Sequence, residues 1–264
     1  MSLTNPDFSR NRFEIKYLAP VRDIEKIKDH LAGIIEPDEH HGDLNDGYYN
    51  HSIYFDDYKF SHYREKHEGL DSRVKIRLRA HREAPNGPAS RYFIELKHRL
   101  GPIGKKDRYV LNEEQAAALL DGQVIPGIGP DLDKPDQAGV PSSFYYLVKK
   151  GSLRPIVSIL YHRAAYHTPL YRDVRITFDT GVRASSITSL STPLTSYRPC
   201  LDPRDCVVEL KYFNSAPRLI MKRLNELGLR QVTLSKYAAG VESVFRQIAH
   251  LNHLGGQSPR SRPE

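Results

Sequence analysis

Charged residues recur at every second position along several stretches of the chain. Glu14 and Lys16 alternate in RFEIKY, Lys75, Arg77 and Arg79 in KIRLR, Glu95, Lys97 and Arg99 in FIELKHR, and Glu209 and Lys211 in VELKY, while Arg163 is followed by Arg175. Arginine offers a planar fork that takes two oxygens of one phosphate, and lysine a compact point charge, so an array of both suits a phosphate chain. The interspersed carboxylates suit a hard divalent cation that bridges phosphate oxygens. The acceptor in phosphoryl transfer between phosphates is already ionised near neutral pH. The lack of an obvious serine or histidine nucleophile among these stretches is consistent with that chemistry.

Side chains at alternate positions point to one side of a β-strand. Each charged set therefore shares one face, and Ile76, Leu78, Ile94, Leu96, Val208 and Leu210 take the other. An antiparallel sheet facing water also alternates apolar with polar residues, and that reading accounts for any single strand. It accounts less well for six strands that are heavy in Arg and Lys and that, in three cases, place Glu two residues before Lys. If the strands close into a barrel, the charged faces make a basic channel and the apolar faces receive outer helices. Unpaired cations there would cost several kcal/mol per ion if desolvated, so the channel has to hold water, carboxylates or a polyanion.

The elements that must carry these faces are legible. Strands are predicted for RFEIKYLA, HSIYFDD (51–57), SRVKIRLRAHR (72–82), SRYFIELKHRL (90–100), KKDRYVL (105–111), PIVSILYHRAAYHT (155–168), YRDVRITFDTGV (171–182) and CVVELKYF (206–213). The pair 155–168 and 171–182 is expected to meet at a tight turn around Pro169 and Leu170. A helix is predicted from Pro20 through VRDIEKIKDHLAGI to Gly33, and another over NEEQAAALL with Asn112 as its cap. Two more are predicted over 217–228 and 234–250, the last capped by Ser235 with Leu234, Ala238, Val241, Phe245 and Ile248 as its buried stripe. The fold class is α+β, an antiparallel eight-stranded β-barrel with helices packed outside. Residues 10–250 form one domain with a loop insertion near 121–141, and 251–264 are an expected disordered tail.

The chain has 264 residues, with 39 Lys and Arg against 32 Asp and Glu, a net charge of +7. An anionic partner is compatible with that balance, as is a basic surface kept for solubility. No apolar run approaches the roughly 20 residues of a membrane span, and MSLTNPDFSRNRF has no hydrophobic signal core. A soluble, cytoplasmic protein is expected. Cys200 and Cys206 lack metal-ligand spacing, and His40 and His41 lie in a polar loop without further ligands. The basic residues lie in strands without any recognised nucleic-acid motif, so no nucleic-acid partner is expected.

RFEIKY, SIYFDD, KIRLR, FIELK, YHRAAY, VRITFDT, VELKY and LSKY occur in an order that resembles the polyphosphate polymerase domain of the vacuolar transporter chaperone (VTC) family. This is a branch of the triphosphate tunnel metalloenzyme superfamily, which also holds adenylate cyclase-like (CYTH) members, and the resemblance spans roughly residues 10–245. It implies an eight-stranded tunnel, ATP and polyphosphate or pyrophosphate as substrates, and Mn²⁺ or Mg²⁺ as cofactor. By resemblance, Lys16, Arg77, Arg79, Lys97, Arg163 and Arg175 are the catalytic cations, and Lys75, Lys106, Arg108, Lys211 and Lys236 bind substrate. Glu209 matches the family's metal-binding glutamate. Glu14 and Glu95 are further metal candidates that suit equally well as ion-pair partners of a neighbouring Lys or Arg, and Lys105, Lys106 and Arg108 suit equally well as exposed strand charges. Asp179 is expected to pair with Arg175, with help in holding the metal as the alternative, and the tyrosines are expected to serve as strand and core residues, with Tyr54 or Tyr17 the candidates to stack near a nucleotide base. Arg12 stands where cyclase and triphosphatase relatives carry a leading Glu, and Thr233 where the family often has a second Lys. The implied reaction is transfer of the γ-phosphate of ATP to a growing chain. The alternatives are a triphosphate or tripolyphosphate hydrolase on the same fold and a non-catalytic polyphosphate sensor. If relatives work beside a membrane channel, this chain would need a separate membrane partner.

Overall fold

The computed structural model describes residues 12–38, 47–100, 103–123, 144, 147–148, 151–171, 173–213 and 215–245. The expected insertion, the tail, His40, His41 and Ile248 lie outside the described residues.

Antiparallel pairing builds one mixed-length sheet with helices, an α+β fold. Its long strands are β1 (Arg12–Pro20), β3 (Tyr48–Asp56), β4 (Ser72–Arg82), β5 (Ala89–Leu100), β6 (Ile103–Leu111), β7 (Arg154–His167), β8 (Arg175–Ser185) and β10 (Asp205–Phe213). Two-residue strands β2 (Glu36–Pro37), β9 (Arg198–Pro199) and β11 (Arg230–Gln231) dock at its margins. The helices are α1 (Ile24–His30), α2 (Ser61–His67), α3 (Glu113–Leu120), α4 (Arg218–Glu226) and α5 (Lys236–Val244). The order across the sheet is β11-β1-β10-β8-β7-β3-β4-β5-β6.

The expected barrel does not close. β1 and β6 approach each other, but no ladder joins them and the sheet ends there. The reason is local. The outer edge of β1 is already taken by β11, which pairs with Tyr17 and Leu18, and Val232 N–H donates to the Lys16 carbonyl at 2.9 Å. Over that stretch, Lys16–Leu18, the β1 edge is occupied and unavailable to a closing β6.

Registers agree with the alternation read from sequence. Glu14 lies opposite Lys211 and Lys16 opposite Glu209. Arg77 lies opposite Glu95 and Tyr54, and Arg163 lies opposite Asp179. All of these charged groups share the concave face. On the convex face, Tyr17, Val208, Leu210, Ile176 and Phe178 form one buried cluster with Ile27 of α1 and Ile220 and Leu224 of α4. Ile76, Leu78, Ile94 and Leu96 form a second with Ala116 and Leu119 of α3. Tyr17 therefore packs in the outer core, the role expected of the tyrosines, and the alternative of stacking on a nucleotide in the channel is closed to it.

The last helix departs from the expected arrangement. Ile159 has the same parity on β7 as Tyr161 and Arg163, and α5 packs against it, so α5 sits on the concave face. The sheet admits it because one extra residue on β8, where Gly181 has φ +60, makes a bulge between the pairs Leu160↔Arg183 and His162↔Thr180. Such bulges increase local twist and re-aim the strand. Contact between α5 and the sheet is close at Gly240, where an added Cβ would overlap the Cδ1 of Ile159. Gly240→Ala is expected to destabilise the fold by about 1–2 kcal/mol, because overpacking outweighs the gain in helix propensity. The check is a thermal melt, and an unchanged or raised midpoint would count against this packing.

Other boundaries shift for physical reasons. Residues 168–174 connect β7 to β8, a longer link than the predicted turn. Between β3 and β4, where no element is predicted, lies α2, whose first backbone donors are held by Asp56 and Asp57. Asn112 does cap α3, through a reciprocal pair with Gln115.

Candidate functional site

Two ion-pair hubs stand on the concave face. In the first, Glu209 projects from β10 and is 5% exposed. Its Oε2 accepts from Arg163 Nη2 at 3.1 Å and from Lys211 Nζ, and its Oε1 accepts from Lys236 Nζ at 2.7 Å. Fully buried Asp179 takes a two-pronged contact from Arg163, with Nε and Nη2 each at 2.6 Å, and lies 2.5 Å from Lys236. Burial opposes charge on both carboxyls, yet the neighbouring cations hold Glu209 well below the usual carboxylate range and Asp179 below it as well. Lys236 is also desolvated, but Asp179 and Glu209 keep it firmly protonated.

The second hub is Glu95, on β5 and 1% exposed. Arg77 reaches it at 2.7 Å through Nε, Arg108 at 2.6 Å through Nη2, Lys106 at 3.1 Å, and Arg79 at 3.7 Å. Its pKa is accordingly held well below normal against the opposing effect of burial. The oxygens of Glu95 are thus engaged by the very cations that sequence assigns to substrate.

Tyrosines join the hubs. Arg79 Nη2 donates to Tyr161 OH at 3.2 Å, and the Tyr161 ring lies 5.3 Å from the Arg163 guanidinium and 4.9 Å from Lys236 Nζ. Arg77 Nη1 donates to Tyr54 OH at 2.8 Å. At the opening, Glu14 pairs with Lys16 at 2.9 Å and with Lys97 across the β1 to β6 seam at 3.1 Å. Burial and Glu209 oppose its charge, but Lys16, Lys97 and Lys211 together lower its pKa. Lys16 also donates to the Leu234 carbonyl at 2.7 Å, and Lys75 to Ser235 Oγ at 3.0 Å. The Ser235 side chain caps α5 by accepting from Ala238 N–H.

The structure therefore gathers Lys16, Arg77, Arg79, Lys97, Lys106, Arg108, Arg163, Lys211 and Lys236 around Glu14, Glu95, Asp179 and Glu209, and Lys75 joins them through Ser235 Oγ and the Tyr237 ring, with its charge acting on Glu65. Among the described residues, basic side chains outnumber carboxylates on this face. Arg175 lies at the margin instead, with Nε 2.8 Å from Asp38. The expected Asp179–Arg175 pair is corrected, because the register sets Asp179 opposite Arg163 and Arg175 opposite His167 and Lys211. Tyr161 and Asp179 are the residues that sequence reasoning undervalued. Their signal was parity with Arg163 and Arg175.

The family model for the VTC domain matches residues 11–245, well over half of the chain. The protein belongs to the VTC domain family. That family is related to polyphosphate polymerases. No curated protein matches the chain. Among solved structures, a candidate adenylate cyclase of Bacillus halodurans is similar, with a TM-score of 0.44 and 14% identity over 85% of this chain and 95% of that one. No described helix of this VTC domain is long and apolar enough to cross a membrane. Among the described residues there is no group of three or more His, Cys, Asp or Glu placed to hold a metal ion.

Proposed function

We propose that the concave face binds a phosphate chain and that the protein transfers the γ-phosphate of ATP to polyphosphate in the cytosol. The observation that carries this reading is the excess of basic side chains over carboxylates on the concave face among the described residues. A charge excess of that kind is stable only with a polyanion or water in place. The ATP triphosphate and the acceptor phosphate lie end to end along the face. Arg163, Arg77 and Arg79 hold the oxygens of the transferring group, and Lys16, Lys211 and Lys236 neutralise the charge that develops on either side of it. Alignment and electrostatic stabilisation supply the rate enhancement, because both nucleophile and leaving group are already phosphate oxygens.

Mg²⁺ is commonly bound by one or two carboxylates with substrate phosphates and water completing the shell. Glu209 and Glu14 fit that pattern once an arriving phosphate chain draws Arg163, Lys211 and Lys236 off Glu209, since they lie on adjoining strands two register positions apart, on the same face, and sense each other's charge. They would hold Mg²⁺ or Mn²⁺, whose charge draws electron density from the phosphate oxygens. Glu95 is engaged by Arg77, Lys106 and Arg108 and, unlike Glu14 beside Glu209, has no second carboxylate among the charges that act on it most strongly, so it is assigned the ion-pair role. Arg175 is assigned to the entrance.

Incubation with ATP and Mn²⁺ followed by separation of polymer from free phosphate tests the reading. Polymer is the expected product. Free phosphate alone would identify a hydrolase, and neither product would leave only binding.

A pH dependence of opposite signs follows. Burial, with neighbouring guanidinium groups, pulls Lys106 and Lys211 down to about 7 in spite of their Glu partners. In the unfolded chain they titrate near 10.5, so between pH 7 and about 10 the unfolded state binds more protons and these groups raise stability as pH rises. Tripolyphosphate affinity should fall over the same range as both ammonium groups discharge. Melting midpoints and calorimetric titrations from pH 7 to 9.5 check this, and affinity that stays flat would contradict it.

A further inference from the structure

Asp56 ends β3 and is fully buried. Its Oδ1 accepts from the backbone N–H of Asp57 at 2.8 Å and of His62 at 3.0 Å, and its Oδ2 accepts from Tyr63 N–H at 3.1 Å. The carboxylate is thereby fixed by the turn into α2, and Oδ2 also accepts the hydroxyl of Tyr237. Tyr237 directly follows Lys236 at the start of α5, and its ring stacks on Tyr54 with centroids 5.0 Å apart. Tyr54 OH in turn receives Arg77. The position of α5 is set by apolar packing on β7 and β8, and among the polar contacts at its start the Tyr237–Asp56 bond, 181 residues apart in sequence, is the one that ties its first turn to the turn into α2.

We propose that Asp56 is a positioning residue that, through the Tyr237 hydroxyl, aims Lys236 at Glu209 and Asp179 and steadies Arg77 through Tyr54. The inference rests on the reading of the concave face as a phosphate site. Neither Asp56 nor Tyr237 touches the phosphates.

Tyr237→Phe removes one oxygen and leaves Asp56 with its three backbone donors. The probe is tripolyphosphate affinity in a double-mutant cycle with Lys236→Met, measured on the full chain alongside thermal melts. Tyr237→Phe is expected to weaken binding about 5- to 20-fold in the presence of Lys236 and less than 2-fold in its absence. Losses that multiply independently, a Tyr237→Phe variant with wild-type affinity, or a Lys236→Met variant with wild-type affinity would each overturn the relay. If Tyr237→Phe does not fold, Asp56→Asn takes its place in the cycle. If neither folds, the unmodified protein decides. Tripolyphosphate should then slow amide exchange at His62 and Tyr63, outside the charged face, and unchanged exchange there would overturn the proposal. Unmodified protein that fails to bind tripolyphosphate at all would refute the phosphate site itself, a result distinct from any outcome of the cycle.

Discussion

Arg163→Lys is expected to reduce ATP-dependent phosphoryl transfer by at least about 100-fold, the scale seen when one donor to a transition-state oxygen is lost. The substitution keeps the charge but removes the planar fork. Lys cannot span both oxygens of Asp179 while also reaching Glu209, as Arg163 does at 2.6 and 3.1 Å. Arg163 is also 6% exposed, so the variant leaves a buried carboxylate short of donors and should melt several degrees lower. Rate and melting midpoint measured together separate the two effects. Addition of tripolyphosphate should recover the midpoint by mass action without recovering the rate. A Lys variant of near wild-type rate would remove Arg163 from the reacting centre.

Glu209→Gln has the second largest expected effect, and its signs differ between readouts. The carboxylate compensates Lys211, Lys236 and Arg163 at once. Breaking a buried ion-pair cluster by removing one partner costs about 3–5 kcal/mol. Gln keeps the shape, so the empty protein should fold but melt markedly lower. Metal-dependent turnover should fall more than about 100-fold. Metal-free tripolyphosphate binding should tighten, because the concave face gains one net positive charge and loses an internal competitor for its cations. Turnover unchanged by Glu209→Gln would favour a site in which this carboxylate only balances charge. Loss of both turnover and metal-free binding would mean that Glu209 chiefly shapes the face.

The shared logic of both predictions is that the empty site is internally neutralised in part. Each lumen carboxylate is bound to two or more cations, so an arriving phosphate chain exchanges partners with Glu14, Glu95, Asp179 and Glu209. Affinity is then a difference between two sets of charge-assisted contacts, and it should fall steeply with salt at the exposed end, where Lys97 is 46% exposed, and little at buried Arg163.

Alternation determined most of what the sequence by itself could decide. The period of two is intrinsic to a strand, so Glu14 and Lys16, Arg77 and Arg79, and Glu209 and Lys211 had to share faces in any antiparallel sheet, and the ordered motifs pointed to the VTC family before a single contact was known. Caps at Asn112 and Ser235 were legible because they depend on residues three positions away. Only the tertiary structure decided which charges meet. Asp179 meets Arg163 instead of Arg175 because inter-strand register sets partners, and register depends on residues far apart in the chain. The sheet does not close onto β1 at Tyr17 and Leu18, where β11 arrives from more than two hundred residues downstream. Helix α5 enters the concave face through a bulge at Gly181 that shifts one strand by one residue, and so a helix that reads as an outer amphipathic element delivers Lys236 and Tyr237 to the interior. Local periodicity is written into neighbouring residues, whereas pairing and closure are collective choices of the whole sheet.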